Sequence, residues 1–255
     1  AANRHHIAVF QYRLGEEAAQ EAASGLHAEP VPAGNYRMIL RYDAMQSLLA
    51  TFCGIFSAEN AQQGLSLLKG REGEKIAADC VTLMDDPLLE GGFDSAPFDG
   101  EGVASKTKAV VENGVLKTLL HNRKTAKKQG VASTGNALRP GLSAPITVAP
   151  TNFFFKPGNK TLAELEADMS DGLVITDLSG LHAGANMTSG DFSLLSKGYL
   201  LKGGKRVQPV EQITIAGNFY DVLKNIRAIG SDLIFPASGV GSSSVDVGTL
   251  TAAGK

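Results

Sequence analysis

The chain has 255 residues, 43% of them hydrophobic and 20% charged, with a formal net charge of −2. That is ordinary for a globular protein, and the near balance of charge excludes a global field drawing the chain to nucleic acid or to an anionic membrane. No apolar run approaches the roughly 20 residues that span a bilayer.

Two cysteines, Cys53 and Cys80, stand outside any CxxC pattern. The pattern does not predict a disulfide framework or a zinc knuckle, and a reducing, cytoplasmic setting is expected. No signal-peptide pattern opens the chain. It begins "AANRHHIAVF" without Met, which reads as a trimmed or partial version of a longer product. The 29 glycines, with few aromatics, predict many turns and a large β content.

In chain order, "IAVFQYR" predicts a short strand, and "LGEEAAQEAASGLH" a helix with Leu14, Ala18, Ala22 and Leu26 on one face. "EPVPAG" breaks it, and "YRMILRY" predicts a buried strand. "DAMQSLLATFCGIF" predicts an amphipathic helix capped by Asp43, with Met45, Leu48, Leu49, Phe52 and Phe56 along one stripe and Cys53 beside it. Ser57 caps a further helix in "SAENAQQGLSLL". "CVTLMDDP" reads as a strand and a break, and "TKAVVENGVLKTLLH" as a hairpin turning at Asn113-Gly114.

"NRKTAKKQG" predicts a short helix between the cap Asn122 and the stop Gly130. "TLAELEADMSDG" carries a Thr161/Glu164 capping box and a stop at Gly172. A strand, "GLVITDL", and a second hairpin turning at Gly203-Gly204 follow. "NFYDVLKNIRAIG" predicts a last helix with an Asn218/Asp221 box, and the Gly/Ser-rich tail reads as part loop, part edge strand. Strands grouped in hairpins with helices between them predict an α+β fold with a large, mainly antiparallel, curved or barrel-like sheet and flanking helices.

The candidate chemistry is thin. In "FDGEG", Asp99 and Glu101 read either as an acid/base pair or hard-metal ligands, or as a turn, which Asp-Gly favours. The histidines His5, His6, His27, His121 and His182 have no HExxH-like spacing, though a distant set of His121, His182 and Cys80 stays open. Cys53 on an apolar helix reads as packing, not as a nucleophile. No GxSxG elbow occurs, and "GVGSSS" lacks the lysine of a phosphate loop. Lys117, Arg123, Lys124, Lys127 and Lys128 read as a solvated helix face in preference to a contact for phosphates or an acidic partner.

The stretch "MDDPLLEGGFDSAPFDGEGVASKTKAVVENGVLKTLLHNRKTAKKQGVASTGNALR" resembles the central signature of the TldD/PmbA proteins. "NFFFKPGNKTLAELEADMSDGLVITDL" and "GANMTSGDFSLLSKGYLLKGGKRVQPVEQITIAGNFYDVLKNIRAIGSDL" continue the pattern in order, so that the resemblance runs from about Pro32 to Gly254. It implies a remnant of a preceding N-terminal domain or linker over 1–34 and a C-terminal domain over 35–255, and a shift in composition near 80–90 reads as a subdomain boundary within the latter. Members of this family are described as modulators of DNA gyrase and as metallopeptidases.

In its TldD branch, a His-Glu-x-x-x-His helix follows the early strand and a Cys lies near the C-terminus. Here that helix reads "RYDAMQSLLATFCGIF", with no His and no Glu, and the C-terminal segment reads "FPASGVGSSSVDVG", with no Cys. The sequence is similar instead to the PmbA, or TldE, branch. The resemblance implies no metal bound by this chain, zinc in a TldD-type partner subunit, a peptide substrate, and a homodimer when the chain is isolated. It implies neither membrane attachment nor direct nucleic-acid binding. The turn at Asp99 and Glu101 would then shape a peptide groove, with Thr134, Gly135 and Asn136 of "STGN" and Gly190, Asp191, Phe192 and Ser193 of "TSGDFS" near it. The alternatives are a non-enzymatic module binding gyrase or another partner, and a peptidase acting alone.

Overall fold

The computed structural model describes residues 15–254 other than 17, 142, 236 and 237. The strand predicted over 7–13, together with His5, His6 and Leu14, lies outside the described residues.

Along the chain the strands are β1 (Gly34–Leu40), β2 (Leu83–Asp85), β3 (Lys108–Glu112), β4 (Val115–Leu116), β5 (Ala137–Leu138), β6 (Thr147–Val148) and β7 (Phe153–Phe155). They continue as β8 (Gly172–Ser179), β9 (Asp191–Lys202), β10 (Lys205–Asn218), β11 (Ala228–Ile229), β12 (Val240–Gly241) and β13 (Val245–Gly254). The largest sheet runs β1-β8-β9-β10-β13-β11, and β1 also pairs with β13. That pairing closes β1, β8, β9, β10 and β13 into a barrel, with β11 added on β13. A second sheet runs β12-β7-β2-β3-β4, and β5 and β6 form a two-stranded ribbon. Pairing is antiparallel except for β1 with β8 and β12 with β7. The fold is therefore α+β, with a barrel-like sheet flanked by helices.

Period-two patterning sorts the barrel side chains. Met38, Leu40, Leu173, Ile175, Ile213 and Ile215 belong to the main core, whereas Ile39, Val174 and Leu201 face outward beneath Leu165 and Met169 of the helix Leu162–Met169. The main core is continuous with the second sheet through Leu83, Val110, Phe153 and Phe155. The tail does not end as an edge strand. β13 bonds to β1 along one side and to β10 and β11 along the other. Its Val245, Val247 and Ala252 are buried, an alternation that the Gly/Ser-rich residues before it obscure in the sequence.

Both predicted hairpins form, with positive φ at Asn113, Gly114, Gly203 and Gly204. Helix Tyr42–Phe52 packs on β8 and buries the whole predicted stripe Met45, Leu48, Leu49 and Phe52, with Phe56 just beyond its end. Phe52 stacks on Phe219 with centroids 4.7 Å apart, and Phe56 meets Phe153 at 5.6 Å. Reciprocal caps form at Asn122/Thr125 and at Thr161/Glu164, Gly130 closes its helix in the left-handed conformation, and Ser57 caps the short helix Ala58–Gln62.

Three local expectations fail and one holds in part. Asp43 lies inside the first turn, where it pairs with Arg41 and accepts the Ala44 amide at 3.0 Å, while the Tyr42 amide is satisfied by Ser244 Oγ at 3.2 Å. The helix before β8 ends at Ser170, with φ 63°, and Gly172 opens the strand instead. Asn218 Oδ1 accepts the Tyr220 amide, but Asp221 pairs with Lys224 at 3.0 Å, so no reciprocal box forms. In the helical stretch 18–24 and the turn after it, Ala18, Ala22 and Leu26 are exposed. That segment is tied to the barrel by polar contacts, Glu21 on Arg41 and Ser24 on Tyr199. The Arg41 guanidinium holds the Glu21 carboxyl below its ordinary range.

Candidate functional site

The acidic stretch folds into a turn fastened by its own carboxylate. Asp99 Oδ1 accepts the amides of Glu101 and Val103, each at 2.9 Å, and Oδ2 accepts the amide of Ala137 at 3.0 Å. These donors occupy most of the lone pairs a general base or a metal would need. Glu101 Oε2 accepts the Arg123 amide at 2.7 Å, in the first turn of helix Arg123–Gln129. Both carboxylates therefore hold the backbone, which is the turn reading of "FDGEG".

Behind the turn lies a polar network centred on a residue that the sequence reading passed over. Asp85 at the end of β2 is fully buried. Its Oδ2 accepts from Lys108 Nζ at 2.8 Å and Asn136 Nδ2 at 2.7 Å; its Oδ1 accepts the amide of Thr151 at 2.6 Å and the hydroxyl at 2.9 Å. Thr134 Oγ1 accepts the His121 amide at 2.6 Å and donates to Asn136 Oδ1 at 2.7 Å. Gly135 takes the left-handed conformation that this tight turn requires. The available signal for Asp85 was an aspartate inside an otherwise apolar strand, where Asp is depleted.

The turn, the network and ribbon β5–β6 enclose a cleft of about 690 Å³, walled by 94–96, 98–100, 105, 135–139 and 149–151. Asp99, Gly135 and Asn136 meet in its wall, whereas Glu101 and Thr134 stand behind it. Its lining includes large apolar side chains that remain wet, Phe98 at 60% exposure and Leu138 at 47%.

The second predicted set lies elsewhere. Asp191, Phe192 and Ser193 line an open hollow with 183–188 that shares no residue with the cleft. Gly190 adjoins it, packed against the Tyr220 ring with φ 85°. Phe192 is a core residue, its ring 6.3 Å from Phe52. Asp191 accepts from Asn218 Nδ2 at 2.8 Å, and this bond, with Ser189, holds its carboxyl below the ordinary range. Asn186 Oδ1 accepts the amides of Thr188 and Ser189, which fixes the turn locally.

Among the described residues no three His, Cys, Asp or Glu side chains gather as a metal site, so His121, His182 and Cys80 do not form one set. His121 is buried with Nδ1 3.3 Å from Thr125 Oγ1, and burial lowers its imidazole pKa.

The two segments that carry ligands in the metal-bearing branch do meet. Helix Tyr42–Phe52 packs on β12, Gln46 Nε2 donates to Ser238 Oγ at 3.3 Å, and Ser244 Oγ accepts the Tyr42 amide. Amides and hydroxyls are not a zinc donor set, which draws on imidazole, thiolate and carboxylate. The neighbouring Cys53 donates Sγ to Ala50 O, and burial pushes its thiol up to about 11, so it supplies no thiolate. The residues present do not fit zinc. In this segment Ser243 Oγ is buried without a hydrogen-bond partner among the described residues. Ser243→Ala is therefore expected to raise stability by about 1 kcal/mol, by removing an unsatisfied buried hydroxyl. Urea unfolding checks this, and a loss of stability would show that the hydroxyl has a partner.

The closed barrel joined to a second sheet is the fold of TldE-like proteins. The chain superposes on TldE from Thermococcus kodakarensis with a TM-score of 0.85 at 25% identity, covering 94% of this chain and 55% of that one. It superposes on a candidate modulator of a DNA gyrase from Thermotoga maritima with a TM-score of 0.89 at 42% identity, again covering 94% and 55%. Residues 33–254 match the PmbA/TldA metallopeptidase C-terminal domain, and the chain belongs to that family. Over 220 residues it is 33% identical to a metalloprotease of Methanocaldococcus jannaschii, covering 86% of this chain and 48% of the relative. It is 32% identical over 222 residues to a PmbA homologue of Haemophilus influenzae, covering 86% and 46%. The chain thus spans about half the length of these curated relatives. Among the described residues no helix is long and apolar enough to cross a membrane.

Proposed function

We propose that this chain is the PmbA/TldE-like subunit of a two-subunit, cytoplasmic TldD/TldE-type peptidase acting on unfolded peptides. It holds no metal of its own. The zinc belongs to a histidine-bearing TldD-type partner, where it would activate water and polarise the scissile carbonyl. This chain contributes a rigid scaffold and peptide contacts, and pairs with itself when the partner is missing. One observation supports the reading: where the helix and the C-terminal segment meet, the polar side chains in contact are those of Gln46, Ser238 and Ser244, amide and hydroxyls that do not suit zinc.

The test is peptide cleavage by the isolated chain, then by a mixture with a TldD-type subunit and zinc, with metal content measured on each protein. Cleavage in the mixture alone, with zinc on the partner alone, is expected. Stoichiometric zinc on the isolated chain, with chelator-sensitive cleavage, would overturn the proposal. Binding to DNA gyrase with no cleavage in either arrangement would replace it by the modulator role that the description of the Thermotoga maritima protein suggests.

A further inference from the structure

We infer that the cleft beside the Asp99 turn is a peptide subsite, which takes one bulky apolar side chain between Phe98 and Leu138 and an adjacent carboxylate onto Arg139. This rests on the peptide-handling role proposed above and names the part of the peptide that this chain reads.

The size and walls of the cleft select the ligand. Its volume, about 690 Å³, falls inside the range of built ligand sites. Phe98 and Leu138 line it together with Ala96, Ala137, Ala149 and Pro150, and the two large side chains lie half-open to water. An aromatic or long aliphatic side chain seated there removes apolar surface on both partners from water.

The frame is set before any ligand arrives. Asp99 is fastened by three amides and Asp85 by four donors. Binding therefore requires little ordering of the wall. The same bonds commit both carboxylates to holding the wall. The Ala137 amide is taken by Asp99, and its carbonyl accepts from Gly100 N at 2.8 Å. A peptide is consequently not added as a strand at Ala137, and recognition runs through side chains.

Charge completes the selection. Arg139 lines the cleft, and among the described residues its guanidinium has no ion pair. A guanidinium with open donors takes a planar carboxylate through two parallel bonds. Asp94 and Asp99 in the same lining limit this to a single carboxylate held on Arg139 and oppose a polyanion such as nucleic acid. The carboxylate comes either from an acidic side chain or from a peptide C-terminus.

The experiment is fluorescence anisotropy on the isolated full chain with labelled hexapeptides. One probe carries Phe-Asp with an amidated end, one ends in Phe with a free carboxylate, one is a neutral amidated Phe peptide, and one replaces Phe by Ser. The Phe probes are expected to bind and the Ser probe to bind about tenfold more weakly or not at all. Phe98→Ser with Leu138→Ser weakens every Phe probe by about tenfold. Arg139→Gln leaves the neutral probe unchanged and weakens a carboxylate probe by about five- to tenfold, and whichever loses identifies the source. Both side chains are already exposed, so thermal melts of these variants stay close to the parent. Leu195→Ser, on the outer face of β9, is the unaffected control.

Equal binding of the Phe and Ser probes, or affinities unmoved by the cleft substitutions, would overturn the inference. So would self-association that Leu138→Ser abolishes, since a second copy would then be the occupant. No partner subunit or zinc enters this measurement. Lack of cleavage in the mixture with peptide binding intact therefore counts against the proposed peptidase role and not against the subsite.

Discussion

Replacing Asp85 by alanine is expected to lower the stability of the chain by about 3–5 kcal/mol, the usual cost of stripping one partner from a buried ion pair. Lys108 supplies the ammonium, with its side chain 13% exposed against 0% for Asp85. Without the carboxylate that charge stays in the protein with no counter-ion. Three further donors lose their acceptor at once, the Asn136 amide and the Thr151 amide and hydroxyl. The two contributions separate experimentally. Adding Lys108→Met to Asp85→Ala removes the orphaned charge and should return part of the loss. What remains reflects the three neutral donors that lost an acceptor. Urea unfolding of the parent and the two variants at neutral pH measures both steps. A single-variant loss below about 1 kcal/mol would mean that Lys108 finds water or another carboxylate, and that Asp85 is not the keystone of the network. Asn136 and Thr151 wall the cleft, so peptide affinity is expected to fall along with stability.

What could be read in the sequence was local. Met45, Leu48, Leu49 and Phe52 repeat at helical spacing, so their buried stripe was legible, as were the Asn113-Gly114 and Gly203-Gly204 turns and the Thr161/Glu164 cap. Asp99 announced a turn because Asp-Gly has a short-range preference for one, and the carboxylate bonds two and four residues ahead bear that out. Asp85 works at long range. Its partners lie 23, 51 and 66 residues away, and no spacing rule reaches them. The same limit hid half of what satisfies the start of helix Tyr42–Phe52. The nearby Asp43 meets the Ala44 amide, but the hydroxyl that meets the Tyr42 amide comes from Ser244, 202 residues on. Barrel closure was equally hidden, because it joins β1 to β13 from opposite ends of the described chain. The cleft wall was half legible. "STGN" and "FDGEG" were singled out for their turns, whereas Phe98, Leu138 and Arg139 look like ordinary surface residues until the fold gathers them around one hollow.

Gly198→Ala is expected to destabilise the chain by about 3 kcal/mol, at the upper end of the cost of overpacking. Gly198 sits in β9 between two bulges. On one side it pairs with Ile175, beside a bulge that leaves Thr176 unpaired in β8. On the other it pairs with Val210, beside a bulge at Glu211 and Gln212 in β10, where Gln212 has φ 55°. Bulges sharpen strand twist and coiling, and two of them meeting at one residue press the neighbouring backbones together. A methyl group at Gly198 would run into the Val174 carbonyl oxygen and lie 2.9 Å from Ile175 Cα. Both obstacles are backbone, so no side-chain rotation relieves them, and β8 must move away. Helix Tyr42–Phe52 rests on β8, and β1 pairs with it in parallel, so the displacement reaches the junction with the C-terminal segment. Gly141→Ala, where an added methyl meets nothing within 4 Å, is the control and should stay within about 0.5 kcal/mol of the parent. Thermal and urea unfolding of the two variants decide the matter. Equal stabilities would mean that the strands can part at Gly198 without cost, and that the bulges alone, not the missing side chain, let five strands close.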